Sequence, residues 1–533
     1  MKERTKVLVI GLDGATWNVI KPLVKEGKLP TIANLMNNGC YGDLESCIPS
    51  STFPAWKCYS TGKNPGKLGV YWFAGVDMAE ERFFFNNSTS FKGKELWDYL
   101  GENNITCGVL DMPTTYPCKR INGVMISHGA PRPSGYTYPE YLEKELKNRF
   151  DYKIDPDSFL ELGKDASIPS IRSIINQRFD VADYLLRKFA PSFFFVTIFH
   201  IDFIQHRYWR DMEEGDAKYG KVIEDFWTLI DDGIKGIVDE FCDERTYIIL
   251  MSDHGFAAAK RDFQISKWLI EKNLLKLKKN RLLLSGLLFR LGLSRDTVFA
   301  IIRRTKIAPF LMSHIPREIL QKVAALFPAR NLLDRTPLGG SVDWGRSTVI
   351  PLPSGLLHIN KNSFGSQDEY EEFKEALIAE IKEIEEPKTG EKLARGVYRR
   401  EEIYFGKYVD DAPDIIILPN EGYWIVSPVR SKEIWGYPTG GWTATHKLHG
   451  IFLAYGPGIK KNVELEGAKI YDLAPTILYI FGIPIPKDMD GRVLKEMFKE
   501  DSALAKREVE YQEVDEKARV RERIRDLKAQ DKI

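Results

Sequence analysis

Short runs of almost uninterrupted apolar residues recur along the chain. They are Lys6–Gly11 (KVLVIG), Cys107–Leu110, Val124–Ser127, Phe193–Phe199 (FFFVTIF), Thr246–Met251 (TYIILM), Asp414–Leu418 (DIIIL) and Ile451–Tyr455. They lack the strict alternation of a strand with one wet face, and so predict strands buried on both faces. Between them lie stretches with helical spacing. Thr16–Asn37 places Ile20, Leu23, Leu29, Ile32, Leu35 and Met36 on one side. Glu95–Glu102, Ile171–Phe189, Glu224–Cys242, Glu369–Ile384 and Asp472–Phe481 follow the same rule. Thr348–Ile359 adds strand material, and no internal repeat is visible. Strands alternating with helices predict a doubly wound, mostly parallel α/β sheet flanked by helices.

In open α/β sheets the site lies beyond the carboxyl ends of the strands. Here those ends carry chemistry. Asp13 follows the first run, and Asp253 and His254 follow Thr246–Met251. His200, Asp202 and His206 follow Phe193–Phe199. Carboxylates and imidazoles are the ligands that Zn²⁺ or Mn²⁺ accepts. Asp13 reads equally as a ligand or as the cap of the helix starting near Thr16. Asp202 and His206, four residues apart, share one helical face and suit two ligands of a single ion. His446 and His449 sit in the turn before Ile451–Tyr455, where one of them can complete a three-residue set. His128, His200 and His358 read as packed or hydrogen-bonded residues.

The loop Glu45–Val70 is dense in Pro, Gly, Ser and Thr. Pro54 is a good first residue for a short helix. Thr52 then stands just before it, where free N–H groups and the helix dipole favour an anion. Thr52 reads as a capping residue, or as a nucleophile if a metal lowers the pKa of its hydroxyl. Cys47–Ser51 is similar to the C-x-P-S-R motif of sulfatases, but Ser51 holds the arginine's place. Cys47 is therefore read as a packed loop cysteine.

Composition narrows the setting. Over 533 residues, 76 basic and 75 acidic side chains give a net charge of +1, so no global charge points to nucleic acid. Six scattered cysteines form no C-x-x-C pair, which reads as reduced thiols. No signal-like segment precedes the strand at Lys6, and no apolar run reaches the about 18 to 20 residues of a membrane span. The expected location is the cytoplasm. Lys267–Arg335 is apolar and basic together, which predicts a helical insertion over residues 266–339. It reads as a cap with solvated basic residues, or as a peripheral contact with an anionic surface. The predicted core is then residues 1–265 and 340–498, followed by a charged helical tail at 499–533.

The ordered motifs resemble the alkaline phosphatase superfamily, and most closely its type I phosphodiesterase/nucleotide pyrophosphatase branch. They are GLDG at Gly11–Gly14, S-T-F-P at Ser51–Pro54, TGKNPGKLGV at Thr61–Val70, and D-x-x-x-H at Asp202–His206. SDHG at Ser252–Gly255, T-H-x-x-x-G-I-F at Thr445–Phe452 and the closing DLAPTIL…GIPIPKDMDGRVL complete the set. The resemblance implies an alkaline phosphatase-like fold with two divalent ions, Zn²⁺ or Mn²⁺. Asp13, Thr52, Asp253 and His254 would hold one ion, and Asp202, His206 and His446 the other. His446 is preferred over His449 because the family's ligand lies several residues before the Gly-Ile-Phe strand start. Thr52 would attack phosphorus and pass through a phosphothreonine. The implied activity is hydrolysis of a phosphodiester or phosphomonoester of a small molecule. A phosphomutase or phosphotransferase, or a binding protein with a relict site, are the alternatives.

The likeness has gaps. Ala55 and Trp56 follow Thr-Phe-Pro where the branch has Asn-His, and Phe73 stands where it has a phosphate-binding asparagine. Lys57 and Lys63 are the nearby cations that can replace that asparagine electrostatically.

Overall fold

The apolar runs pair into a nine-stranded sheet whose parallel centre fixes where the site can be. The computed structural model describes residues 5–128, 134–156, 163–278, 342–427, 433–438 and 441–514. The strands of this sheet are β1 (Lys6–Leu12), β2 (Cys40–Glu45), β3 (Cys107–Met112), β4 (Gly123–Ser127) and β5 (Thr137–Tyr138). They continue with β6 (Phe193–Ile198), β7 (Thr246–Met251), β8 (His449–Tyr455) and β9 (Val463–Lys469). Their spatial order is β9-β2-β8-β7-β1-β6-β3-β4-β5. β1 pairs in parallel with both β6 and β7, so three carboxyl ends lie side by side. β8 runs antiparallel to β7 and β2, which brings its amino end to that same edge.

Helices cover both faces of the sheet. One face packs Ile10, Leu250, Val196 and Phe194 against Ile223, Phe226 and Ile230 of the helix Val222–Phe241. The other packs Val9, Phe195 and Ile249 against Trp56 and Tyr59 of the helix Thr52–Thr61 and against Leu473–Phe481. Each fully buried side chain of this kind contributes about 1.5 to 3 kcal/mol. Gly11 in β1 is required by that packing, because a Cβ there would stand 2.5 Å from the Trp56 ring.

The predicted helix Thr16–Asn37 is two helices, Trp17–Lys25 and Pro30–Asn38. Gly27, at φ +74°, and Pro30 break it. Asp414–Leu418 yields a buried strand, Ile415–Pro419, but outside the central sheet. It joins Val349–Leu352, Leu356–Ile359 and Ala394–Arg399 in a four-stranded antiparallel sheet. The helix Gln367–Lys382 covers this second sheet with Tyr370, Leu377 and Ile381.

Most of the 266–339 stretch, and with it the suggested contact with an anionic surface, lies outside the described residues. Its beginning, the helix Ile265–Glu271, packs Trp268 and Leu269 into the second sheet's core. The predicted tail starts with one helical turn, Ala503–Lys506, and Tyr511–Gln512 then pairs in parallel with Ile485–Pro486. No helix among the described residues is long and apolar enough to cross a membrane.

Candidate active site

The residues singled out at the strand ends converge at the carboxyl edge of the central sheet. Asp13, one residue past β1, is fully buried. Its Oδ2 accepts a hydrogen bond from Trp56 Nε1 at 3.0 Å, and its Oδ1 has no partner. Asp253, two residues past β7, accepts from the Gly14 amide at 3.1 Å through Oδ1, and its Oδ2 has no partner. Gly14 makes this possible with φ +68°, and any Cβ there would meet the Phe256 ring at 2.3 Å. His254 Nε2 lies 3.3 Å from Asp253 Oδ2 and 3.7 Å from Asp13 Oδ1. It also lies 3.3 Å from Thr52 Oγ1.

The second group sits beside the first. β6 leads into the helix His200–Glu214, which presents Asp202 and His206 from one face. His446 comes from the strand Ala444–Lys447, paired antiparallel with Gly255–Ala258 directly after the Asp253–His254 turn. His446 Nε2 is 3.3 Å from Asp202 Oδ1 and 3.0 Å from His206 Nε2. Asp202 Oδ1 reaches to 4.0 Å of His254 Nε2, joining the two groups.

All three imidazoles face inward in the same tautomer. Backbone carbonyls can only accept, so each Nδ1 donates: His206 to Ala444 at 2.7 Å, His446 to Ser50 at 3.1 Å, and His254 to Gly255 at 3.2 Å. Each Nε2 lone pair is then left for the site. Metal-bound histidines are held in this way, through the ring nitrogen that does not bind the ion. Two Nε2 lone pairs facing each other repel unless a cation lies between them. The buried, unpartnered oxygens of Asp13 and Asp253 have the same need. Asp13, Asp253 and His254 offer one set of converging ligand atoms, and Asp202, His206 and His446 offer a second. The donors present therefore fit two divalent ions.

Electrostatics agree with the geometry. Burial first, then the charges of Asp253 and Asp202, push Asp13 well above the usual carboxylate range. Burial pushes Asp253 up to about 7. Burial also lowers His206 to about 3, and takes His254 well below the usual imidazole range. Asp202 is held at about 2, because His206 and His446 outweigh its own burial.

Thr52 occupies the first turn of Thr52–Thr61, with Ser51 rather than Thr52 at the cap position. Its hydroxyl is free of capping duty and points to His254. The first-turn amides of a helix lack partners inside it, and so can receive an anion. Cys47 is buried and bonded to the Pro49 carbonyl, a packed loop residue.

Several supporting residues escaped the sequence reading. Trp56 fills the place of the family's histidine and donates to Asp13. Gln205 donates to the Gly14 carbonyl at 2.8 Å, tying the helix of the second group to the loop of the first. Trp442 and Trp424 pack on the His206 ring, with centroids 3.9 and 5.5 Å away. Phe73, in the asparagine's place, packs on Phe53 at 4.9 Å. The two lysines expected to compensate are engaged elsewhere: Lys57 binds Glu95 at 2.5 Å, and Lys63 pairs with Asp488. His449 lies at the start of β8 and is absent from both sets.

The family model for type I phosphodiesterase / nucleotide pyrophosphatase matches residues 7–451. The chain belongs to this family. Membership makes it a hydrolase acting on phosphate esters. No curated protein matches it in sequence. Among solved structures, human ectonucleotide pyrophosphatase/phosphodiesterase 5 is 14% identical, with a TM-score of 0.50, covering 92% of this chain and 98% of that one. An inactive variant of the murine protein in complex with AMP is also 14% identical, with a TM-score of 0.51, covering 93% and 100%. At this identity the likeness is one of fold: a large, mostly parallel sheet between helices.

Proposed function

We propose that the protein is a two-metal phosphohydrolase of small phosphate esters that uses Thr52 as nucleophile. The reading rests on one observation: two sets of inward-facing lone pairs and orphaned carboxylate oxygens, joined through Asp202, beside a threonine hydroxyl at a helix start. Asp13, Asp253 and His254 hold one ion, with Thr52 completing its ligands, and Asp202, His206 and His446 hold the other. Bound, the pair would supply positive charge to the attacking and leaving oxygens of an in-line displacement.

The chain's own residues do the rest. Thr52 Oγ1 attacks phosphorus, its proton passes through solvent to the leaving oxygen as that bond breaks, and a phosphothreonine forms. The first-turn amides orient the phosphoryl oxygens. Water then attacks phosphorus from the vacated side, the bond to Oγ1 breaks, and Thr52 regains its proton. Phe73 takes the place of the branch's phosphate-binding asparagine and packs on Phe53, so the substrate's orienting contacts come from other groups.

Bis-p-nitrophenyl phosphate and p-nitrophenyl phosphate should be assayed with Mn²⁺ or Zn²⁺, and again after chelation. Turnover of at least one, lost on chelation and restored by metal, is expected. No turnover of either ester with any metal would leave a binding protein with a relict site. The murine neighbour's AMP complex makes nucleoside monophosphate esters the next substrates to test.

A further inference from the structure

The candidate ligands are unequally exposed, and the difference marks where the site opens. Asp13, Asp253 and His254 are sealed from solvent. In the second group the Asp202 side chain is 13% exposed and that of His446 25%. Thr52 lies beside the first group, so an in-line attack sends the leaving oxygen toward the second. The rest of the leaving group then has to pass the open side.

Two tryptophans border the second group. Trp442 packs on the His206 ring with centroids 3.9 Å apart, and Trp424 stacks on it at 5.5 Å with 14° between the planes. The two indoles lie 5.8 Å from each other. Both are only half-buried. Neither indole N–H bonds to a described residue, and neither is closed off from solvent. Phe203, which also meets Trp442, is by contrast buried, and the Arg207 guanidinium lies over its ring.

Trp442 is held in place by its neighbour. The Thr443 amide and hydroxyl both donate to the His206 carbonyl, at 2.5 and 3.1 Å. The same hydroxyl accepts from the Arg210 amide at 3.2 Å. A ring fixed in advance loses little freedom when a ligand settles on it.

We propose that Trp442 and Trp424 form a leaving-group subsite, which selects phosphate esters whose departing alcohol carries a flat aromatic ring. The inference rests on the two-ion reading and adds the departing half of the substrate to it. A flat ring stacked on an indole gains more than the area it covers, whereas a saturated ring of the same size gains from burial alone.

Benzylphosphonate and cyclohexylmethylphosphonate carry a methylene where phenyl and cyclohexyl phosphate carry the bridging oxygen. They do not hydrolyse, and so report binding without turnover. In calorimetric titration of the whole metal-loaded chain, benzylphosphonate should bind about fivefold tighter, although its partner is the more apolar. Trp442→Leu should bring the two to within about twofold, and Trp442→Phe, which keeps a flat ring, should retain the preference. The ratio of the two affinities cancels any change at the ions themselves. Equal binding of the two phosphonates to wild type, or an unchanged preference in Trp442→Leu, would overturn the subsite alone. Failure of inorganic phosphate to bind the metal-loaded protein would overturn the two-ion reading and the subsite with it. The wild-type comparison decides the matter even if Trp442→Leu does not fold.

Discussion

The two ligand groups leave different amounts of charge unbalanced. Asp13, Asp253 and His254 bring two carboxylates and one neutral imidazole into a space closed to solvent, where two carboxylate oxygens have no donor. Asp202, His206 and His446 bring one carboxylate and two imidazoles, and the His446 side chain is 25% exposed. The first group can be relieved only by a cation or by protonating a buried acid. The second holds a single carboxylate, whose Oδ1 also lacks a hydrogen-bond donor but lies 3.3 Å from His446 Nε2 on the more open side of the site. The first group should therefore bind its ion tightly and the second should exchange its ion with solvent. On the proposed reading, one fold would thus supply a fixed charge beside the nucleophile and an adjustable one across from it.

The largest effect expected is that of Thr52→Ala. Turnover should fall by roughly a thousandfold or more while both ions stay bound, read by steady-state rates and metal analysis. Loss of the first ion as well would mean that the hydroxyl is essential to binding the metal, not only to attack. Next come the ligands themselves. Under graded chelation, wild type should release about one ion per chain well before the other. His446→Ala should lack the readily lost ion and Asp253→Asn the retained one; the reverse assignment would break the comparison. If His449→Ala removes an ion instead, the histidine has been misplaced by three residues.

Smaller effects test the link between the groups. Gln205→Leu should cost about tenfold in kcat with metal content unchanged, because the carboxamide sets one group's helix against the other's loop. Altered magnetic coupling in the Mn²⁺-loaded variant would distinguish this positioning role from general loosening. Trp56→Phe should weaken only the tightly held ion, by less than about tenfold.

Acid gives the smallest predicted effect. Although burial opposes its charge, Lys119 and Lys57 hold Glu95 down to about 2 from the usual 4.5. The stability this adds behind the Thr52 helix is complete above pH 4.5, and it fades as pH falls from there toward 2. Glu95→Gln should flatten that part of an acid unfolding curve.

Much of the site was legible because its residues follow apolar runs so closely. Asp13, Asp253 and His254 stand within three residues of a buried strand's end. Asp202 and His206 declared themselves by helical spacing. Choosing between His446 and His449 needed family likeness, because both precede β8; in the fold, pairing with Gly255–Ala258 sets His446 opposite Phe256. Trp56 and Gln205 were not legible. Their bonds to Asp13 and Gly14 span 43 and 191 residues, and no local pattern encodes such a meeting. Asp414–Leu418 shows the limit for strands, since burial on both faces looks the same in either sheet.

On the proposed two-ion reading, chelating power would be a late product of synthesis. The donors run along the chain from Asp13 to His446, so a nascent chain ending before that histidine could not complete the second set. Capture of both metals should then coincide with closure of the whole central sheet, making stoichiometric loading a readout of finished folding rather than of any single segment.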